Sequence, residues 1–251
     1  MTTRLAITVA EREEDFLAAA TRIREVTLVD VAEDPDAVVA DDSSANFNGK
    51  PMLLVNAEPR CEEPWLFPAL PSRFAPDVLT IRDGLDAGNL GAPGLMRMHL
   101  WTPRPGPPGN MAMVEAVDLA LWLFEQEPDS IHGVSRAGGS TSCALIHLGF
   151  PAGGMAVLDF TDSLPNGEGY RSLSLIGSRG AAYADDHRNR NLFFDGNTPN
   201  ASCPDSEHTS IQPMLQDFIA SVQTGTDSNA ATQSYRRASE IVTKVAVNII
   251  P

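Results

Sequence analysis

The sequence predicts an α/β domain followed by an α+β domain: a small parallel sheet with helices, then an open, mostly antiparallel sheet that also carries helices. Strand-like and helix-like runs alternate at the start of the chain. From about residue 130 short β-like runs follow one another between Gly and Pro residues, and two helical patterns close the chain. The division between the domains is expected at residue 108, giving domains over 1–108 and 109–251.

Leu5 to Val9 is an apolar, β-branched run that predicts a strand. Glu11 to Arg24 follows as a helix, with Phe16, Leu17, Ala20 and Ile23 on one face. Val26 to Val31 completes a β-α-β unit, and AVVADD and MLLVNAEP supply two more strands. A parallel crossover needs at least about 10–12 residues, so little room is left for helices between the later strands. Pro76 to Ala87 predicts a helix stopped by Gly88, LMRMHLW a strand, and Met111 to Glu125 a long helix after the breaker PRPGPPGN. IHGVSRAGG, SCALIHLGF, MAVLDFTDS, YRSLSLIGS and AAYADD predict consecutive strands, with FPAGG (150–154) as a hairpin turn. MLQDFIASVQ and YRRASEIVTKVAVNII are the closing helices.

Composition narrows the function. A chain of 251 residues, 43% of them hydrophobic, can bury a substantial core. Its formal net charge of -15 would repel nucleic acid and anionic membrane surfaces alike. No apolar run reaches the roughly 18 residues of a spanning helix, and the first residues lack a signal peptide's apolar core, so a cytoplasmic protein is expected. Cys61, Cys143 and Cys203 are widely spaced and read as reduced thiols. The five histidines, His99, His132, His147, His187 and His208, show no close ligand spacing along the chain, and no metal site is expected.

Several stretches in one order, RFAPDVLTIRDGLDAGNLGAP, VDLALWL, YRSLSLIGSRGAAYADD and LQDFIASVQTG with its closing helix, cover most of the chain from Ser72 onward. In these the chain resembles the Gfo/Idh/MocA family of NAD(P)-dependent sugar and cyclitol oxidoreductases. The resemblance implies a Rossmann domain joined to a domain with a large open sheet, and oligomer contacts through that sheet. The first 60 residues fit a shortened Rossmann-like domain. In such folds an acid at the end of the second strand binds the ribose hydroxyls. Asp30 holds that position and is a candidate cofactor-binding residue, or else a solvated strand end.

The motifs that carry the family's chemistry are altered. A G-x-G-x-x-G turn lets backbone N–H groups approach a pyrophosphate at a helix N-terminus. Here the corresponding stretch is AEREED, without glycine, and Glu11, Glu13, Glu14 and Asp15 would oppose the phosphates while suiting the helix dipole. A Glu-Lys-Pro signature is implied after a later strand. Ala57-Glu58-Pro59 keeps the acid and the proline, which makes Glu58 a candidate on the cofactor side, but lacks the lysine. Lys50 precedes that strand and reads as a relic or a surface turn, and Lys244 as a solvated residue of the last helix. GNLGAPG (88–94) follows a helix with the wrong spacing for phosphate and is expected to be an interdomain turn.

The third signature is an acid, a histidine four residues later and an aspartate three beyond, all on one helical face. Met111, Glu115 and Asp118 stand at those places. Glu115 is the candidate general base and Asp118 its companion, although a glutamate needs a raised pKa to work near neutrality. Arg73, in the R-F-x-P stretch, and the alternate strand residues His99 and Trp101 are candidate substrate-binding residues; a core or subunit-interface role suits the latter pair equally.

The expectation is a degenerate member of this family with no cofactor of its own. It would act as a binding or partner subunit, as a homo-oligomer or paired with an intact relative, with a small sugar-like ligand. The alternatives are an active NAD(P)-dependent sugar or cyclitol dehydrogenase with a remodelled cofactor site, and a cofactor-free lyase or isomerase using Glu115 and Asp118.

Overall fold

Short runs of Leu, Ile, Val and Ala near the start of the chain have no polar face, and such runs form strands buried on both sides of a parallel sheet. In the computed structural model they do so. The structure describes residues 2–10, 12–41, 47, 49–55, 64–103, 110–138, 141–164, 169–185, 190–195, 198–202 and 210–246. The elements are β1 (Thr3–Thr8), α1 (Glu13–Thr21), β2 (Val26–Leu28), β3 (Ala37–Ala40), β4 (Met52–Leu54), β5 (Leu66–Pro68), α2 (Pro76–Asp86), β6 (Pro93–Pro103), α3 (Asn110–Phe124), β7 (Ser130–Gly138), β8 (Thr141–Gly149), β9 (Met155–Leu164), β10 (Tyr170–Gly177), β11 (Gly180–Asp185), β12 (Arg190–Asp195), β13 (Thr198–Ser202), α4 (Ile211–Thr224) and α5 (Asn229–Ala246).

The chain divides into two units, one of Met1–Ala75 with Glu207–Arg236 and one of Pro76–Ser206 with Arg237–Pro251. The division expected at residue 108 is therefore corrected. Residues 93–103 form β6, which pairs with β10 on one side and β9 on the other, so its backbone hydrogen bonds bind it into the second unit. Helix α4 returns to the first unit for the apolar surface it can cover there.

In the first unit five strands, all parallel, lie in the order β2-β1-β3-β4-β5. Leu5, Val39, Leu53 and Phe67 meet Phe16 and Ala20 of α1 and Leu215 and Phe218 of α4 on one face. The rings of Phe67 and Phe218 meet edge to face, 5.3 Å apart. On the other face Ala6, Val38, Met52, Leu54 and Leu66 form a smaller cluster against Trp65. The sheet thus keeps its strands while its crossovers are short, and a helix from the far end of the chain covers the face that crossover helices would otherwise share. One detail of α1 differs from expectation. Leu17 is exposed and Ala19 takes its place in the core, because Phe16, Ala19, Ala20 and Ile23 follow the i, i+3, i+4, i+7 spacing of one helical face and Leu17 lies at its edge. Helix α4 ends on Gly225 at φ 69, with Thr226 N–H donating to the Ser221 carbonyl, the left-handed cap that glycine permits.

The second unit is built on an eight-stranded sheet ordered β13-β12-β11-β10-β6-β9-β8-β7. Its pairs are antiparallel except β6 with β9. One face is apolar and covered: Met96, Met98, Ile146, Leu148, Leu158, Phe160, Leu173 and Leu175 are all buried. Helix α3 packs on β6 and β9 and is apolar nearly all round, as a central helix must be. Phe124 at its end stacks on Phe150, 4.1 Å away, in the FPAGG turn, which joins β8 to β9 as the sequence predicts. The other face is open. Directly paired positions on it include Val134, Leu145, Asp159, His99 and Ser172 in one row across the sheet.

GNLGAPG lies wholly inside this unit, joining α2 to β6 and bonded to the β10–β11 turn, so the interdomain role expected for it is corrected. No helix among the described residues is long and apolar enough to cross a membrane.

Candidate functional site

In open parallel sheets ligands gather beyond the carboxyl ends of the strands. The first unit has a crevice of about 550 Å³ there, lined among others by Thr8, Ala10, Glu13, Asp30 and Asp41. Thr8 pairs with Ala40, so β1 and β3 run out side by side and place Asp41 next to Ala10. The Ala10 N–H donates to Asp41 Oδ2 at 2.6 Å. A carboxylate of the chain therefore takes the turn amide that a phosphate oxygen would need. Arg12 then adopts φ 60, where a fingerprint would supply glycine, and its guanidinium turns to Asp15 at 2.8 Å. Glu13, Glu14 and Asp15 occupy the first turn of α1 and complement its dipole.

Asp30 lines the same crevice, as its position at the end of β2 predicts. Its carboxylate accepts the Ala32 N–H at 2.8 Å while Glu33 accepts the Asp30 N–H, a capping box over the short turn Val31–Glu33. Among the described residues the ionisable side chains lining this crevice are Glu13, Asp30 and Asp41, all acids. A like charge at about 4 Å costs about 4 kcal/mol at a protein surface. The residues present do not fit a dinucleotide's pyrophosphate.

In the second unit the alternation of β6 brings His99 and Trp101 onto the open face, their rings edge to face at 5.7 Å. The structure adds two partners that sequence reasoning missed. Asp159 of β9 pairs in register with His99; its Oδ2 lies 3.2 Å from His99 Nδ1, and its Oδ1 accepts the Trp101 indole N–H at 3.4 Å. Tyr170 of β10 is opposite Trp101, with ring centroids 5.0 Å apart. A carboxylate beside Nδ1 favours that nitrogen as the donor and leaves Nε2 to accept a hydrogen bond. The cluster is half-exposed and can hold a small polyhydroxylated ligand by ring stacking and one oriented acceptor. The signal lay in strand pairing, which spacing along one strand does not reveal.

Glu115 and Asp118 share a face of α3 in the same unit. Glu115 is half-buried and Asp118 fully buried, and both have partners. Arg73 belongs to the first unit, where its Nη2 donates to Ser234 Oγ at 2.6 Å. Partial burial raises the pKa of Asp217 on α4, and the charge of Arg73 offsets part of that rise. Arg73 thus ties the chain after β5 to α4 and α5. Lys50 pairs with Asp34 at 3.2 Å, which fits a surface turn. Glu58 lies outside the described residues. Among the described residues no group of three or more His, Cys, Asp or Glu side chains forms a metal cluster.

No protein-family model and no curated protein matches the sequence. Solved structures do match in three dimensions. UDP-N-acetylglucosamine 3-dehydrogenase GnnA from Acidithiobacillus ferrooxidans is similar with a TM-score of 0.75 at 16% identity, over 99% of this chain and 98% of that one. A myo-inositol dehydrogenase from Corynebacterium glutamicum gives 0.75 at 13% identity, over 99% and 97%. Biliverdin reductase from Synechocystis, solved with biliverdin and NADP+, gives 0.75 at 14% identity, over 98% and 99%. The similarity runs through both units from end to end. The chain has the two-domain fold of the Gfo/Idh/MocA-type dehydrogenases.

Proposed function

We propose that this chain is a Gfo/Idh/MocA family member that does not bind NAD(P) on its own and acts as a binding or partner subunit. The observation that carries the reading is the Asp41 carboxylate on the Ala10 amide in a crevice whose ionisable lining, among the described residues, is acidic. The absence of glycine from the turn and of lysine from Ala57-Glu58-Pro59 points the same way. Equilibrium dialysis against NADH and NADPH is expected to leave the protein without nucleotide at about 1 mM, beyond a binding free energy of about 4 kcal/mol. Retention at about 10 μM would put a dehydrogenase reading first.

The open sheet face supports the partner role. Val134, Leu145, Met155, Ile176 and Tyr183 are large apolar side chains left exposed, and strand pairing places all of them on that face. An apolar surface of this kind, with polar groups around it, marks a contact with another chain. A second copy or an intact relative covers these apolar side chains, and a small sugar-like ligand would stack on His99, Trp101 and Tyr170, beside Asp159, at the margin of that contact. Light scattering is expected to show an oligomer; a stable monomer without ligand or partner would contradict the role.

A second reading is an NAD(P)-dependent dehydrogenase of a sugar or cyclitol, favoured by the named activities of the structural neighbours and by Asp30 at the crevice wall. In it Glu115 would accept the proton and Asp118, wholly buried, would position the helix around it.

A further inference from the structure

The β7–β8 hairpin places His132 directly opposite His147. Directly opposed residues of an antiparallel pair have Cβ atoms about 4.5–5.5 Å apart. That spacing lets two imidazoles turn onto one ion at a metal–nitrogen distance of about 2.0–2.1 Å. His132 is exposed and His147 half-buried, both on the open face.

The backbone beneath them is held on the opposite face. Ile146 and Leu148, flanking His147, are both 0% exposed. Gly133 follows His132, and a Cβ there would stand 2.7 and 2.8 Å from side-chain carbons of Val245, so α5 lies directly against this part of β7. The pair is therefore carried by two locked strands rather than by a loop, which is the support a chelating pair needs.

Their surroundings leave the two rings to each other. On the same face their neighbours are Ser130 and Val134 along β7, Leu145 and Gly149 along β8, and Val157 of β9 across from His147, with Arg97 of β6 one strand further. Asp159, the carboxylate on the neighbouring row, is held by His99 and Trp101. Among the described residues no acid holds a register position directly beside them; Asp129, just before β7, brings its Oδ1 within 3.6 Å of where a Gly149 Cβ would stand.

We propose that His132 and His147 together chelate one borderline divalent transition-metal ion of the Zn²⁺, Ni²⁺ or Cu²⁺ class. Neutral imidazole nitrogen suits these ions, whereas Mg²⁺ and Ca²⁺ favour oxygen. Two protein ligands leave the remaining coordination positions to water or to a group from another molecule. Because β7 is the edge strand, the ion would fasten that edge to β8, and binding specific to the folded register stabilises the fold. Distance along the chain conceals the pair; only the hairpin register assembles it.

The test is calorimetric titration of the full untagged chain with ZnCl₂ and NiCl₂ at about pH 7.5, where imidazole is ordinarily neutral. One ion per chain is expected. His132→Ala and His147→Ala should each weaken binding at least about tenfold, equal to about 1.4 kcal/mol, while His99→Gln changes it less than about twofold. Both variants alter outward-facing side chains, and melting curves without metal would verify their folding. Absence of binding at about 1 mM metal, or retained affinity in both variants, overturns the proposal.

Discussion

Gly177→Ala is expected to destabilise the second unit by about 3 kcal/mol or more, read as a fall in the melting temperature. A Cβ at Gly177 would stand 2.9 Å from the carbonyl carbon of Leu90, closer still to its oxygen, and 3.2 Å from the Ala92 carbonyl oxygen. These are backbone atoms and cannot rotate away. Nor can the segment retreat at little cost, because Leu90 accepts from Arg179 N–H at 3.0 Å and Ala92 from Ser178 N–H at 2.9 Å. Gly91, Gly94 and Gly177 thus serve a close backbone crossing, Gly88 serves its φ of +73, and no phosphate role is needed to account for them. Gly153→Ala provides the comparison. Its Cβ meets nothing within 4 Å, so only its φ of +91 opposes the change, a cost of about 1 kcal/mol.

Arg171→Met should cost about 3 kcal/mol by a different route. Arg171 Nη1 donates to Asp77 Oδ2 at 2.7 Å, and the Asp77 side chain is 11% exposed. Removing the guanidinium leaves a carboxylate at the start of α2 with little water and no counter-charge. Arg171 Nη2 is itself buried with no hydrogen-bond partner among the described residues, so the pair is imperfectly satisfied there already. The double variant Arg171→Met/Asp77→Asn should then recover most of the loss, since it removes the stranded charge as well. Chemical denaturation of the single and double variants measures both effects. Equal destabilisation in the two would show that Arg171 acts through packing of its stem.

Much of the fold is legible in the sequence for a simple reason: its strands carry the two patterns that burial imposes. Continuous apolar runs such as AVVA and MLL give the parallel sheet. Alternation in LMRMHLW gives a strand with one covered and one open face. Strands that carry neither pattern escape. LFP ends in proline at a sheet edge, and Arg190–Asp195 and Thr198–Ser202 are rich in Asn, Asp and Pro, residues that ordinarily mark turns. The domain division escapes as well, since pairing of β6 with β9 and the return of α4 are non-local choices.

The candidate sites follow the same rule. The acids of AEREED announce an unusual turn, and Asp30 follows from its place after the second strand. The residue that most constrains the crevice, Asp41, reaches Ala10 only because β1 and β3 are neighbours in register. Asp159 reaches His99, and His147 reaches His132, for the same kind of reason. Chemistry assembled along one strand or helix is visible in a sequence, and chemistry assembled across strands becomes visible once the pairing is known.

The amide of Ala10 reports most directly on the central claim. In a ¹H–¹⁵N correlation spectrum its signal is expected to sit downfield, hydrogen-bonded to the Asp41 carboxylate, and to stay unmoved on addition of about 1 mM NADH or NADPH. Asp41→Asn should shift that signal, which confirms its partner. A progressive shift of the Ala10 signal in the unaltered protein, saturating at micromolar NADH or NADPH, would mean that the carboxylate yields its place to a phosphate and would contradict the account.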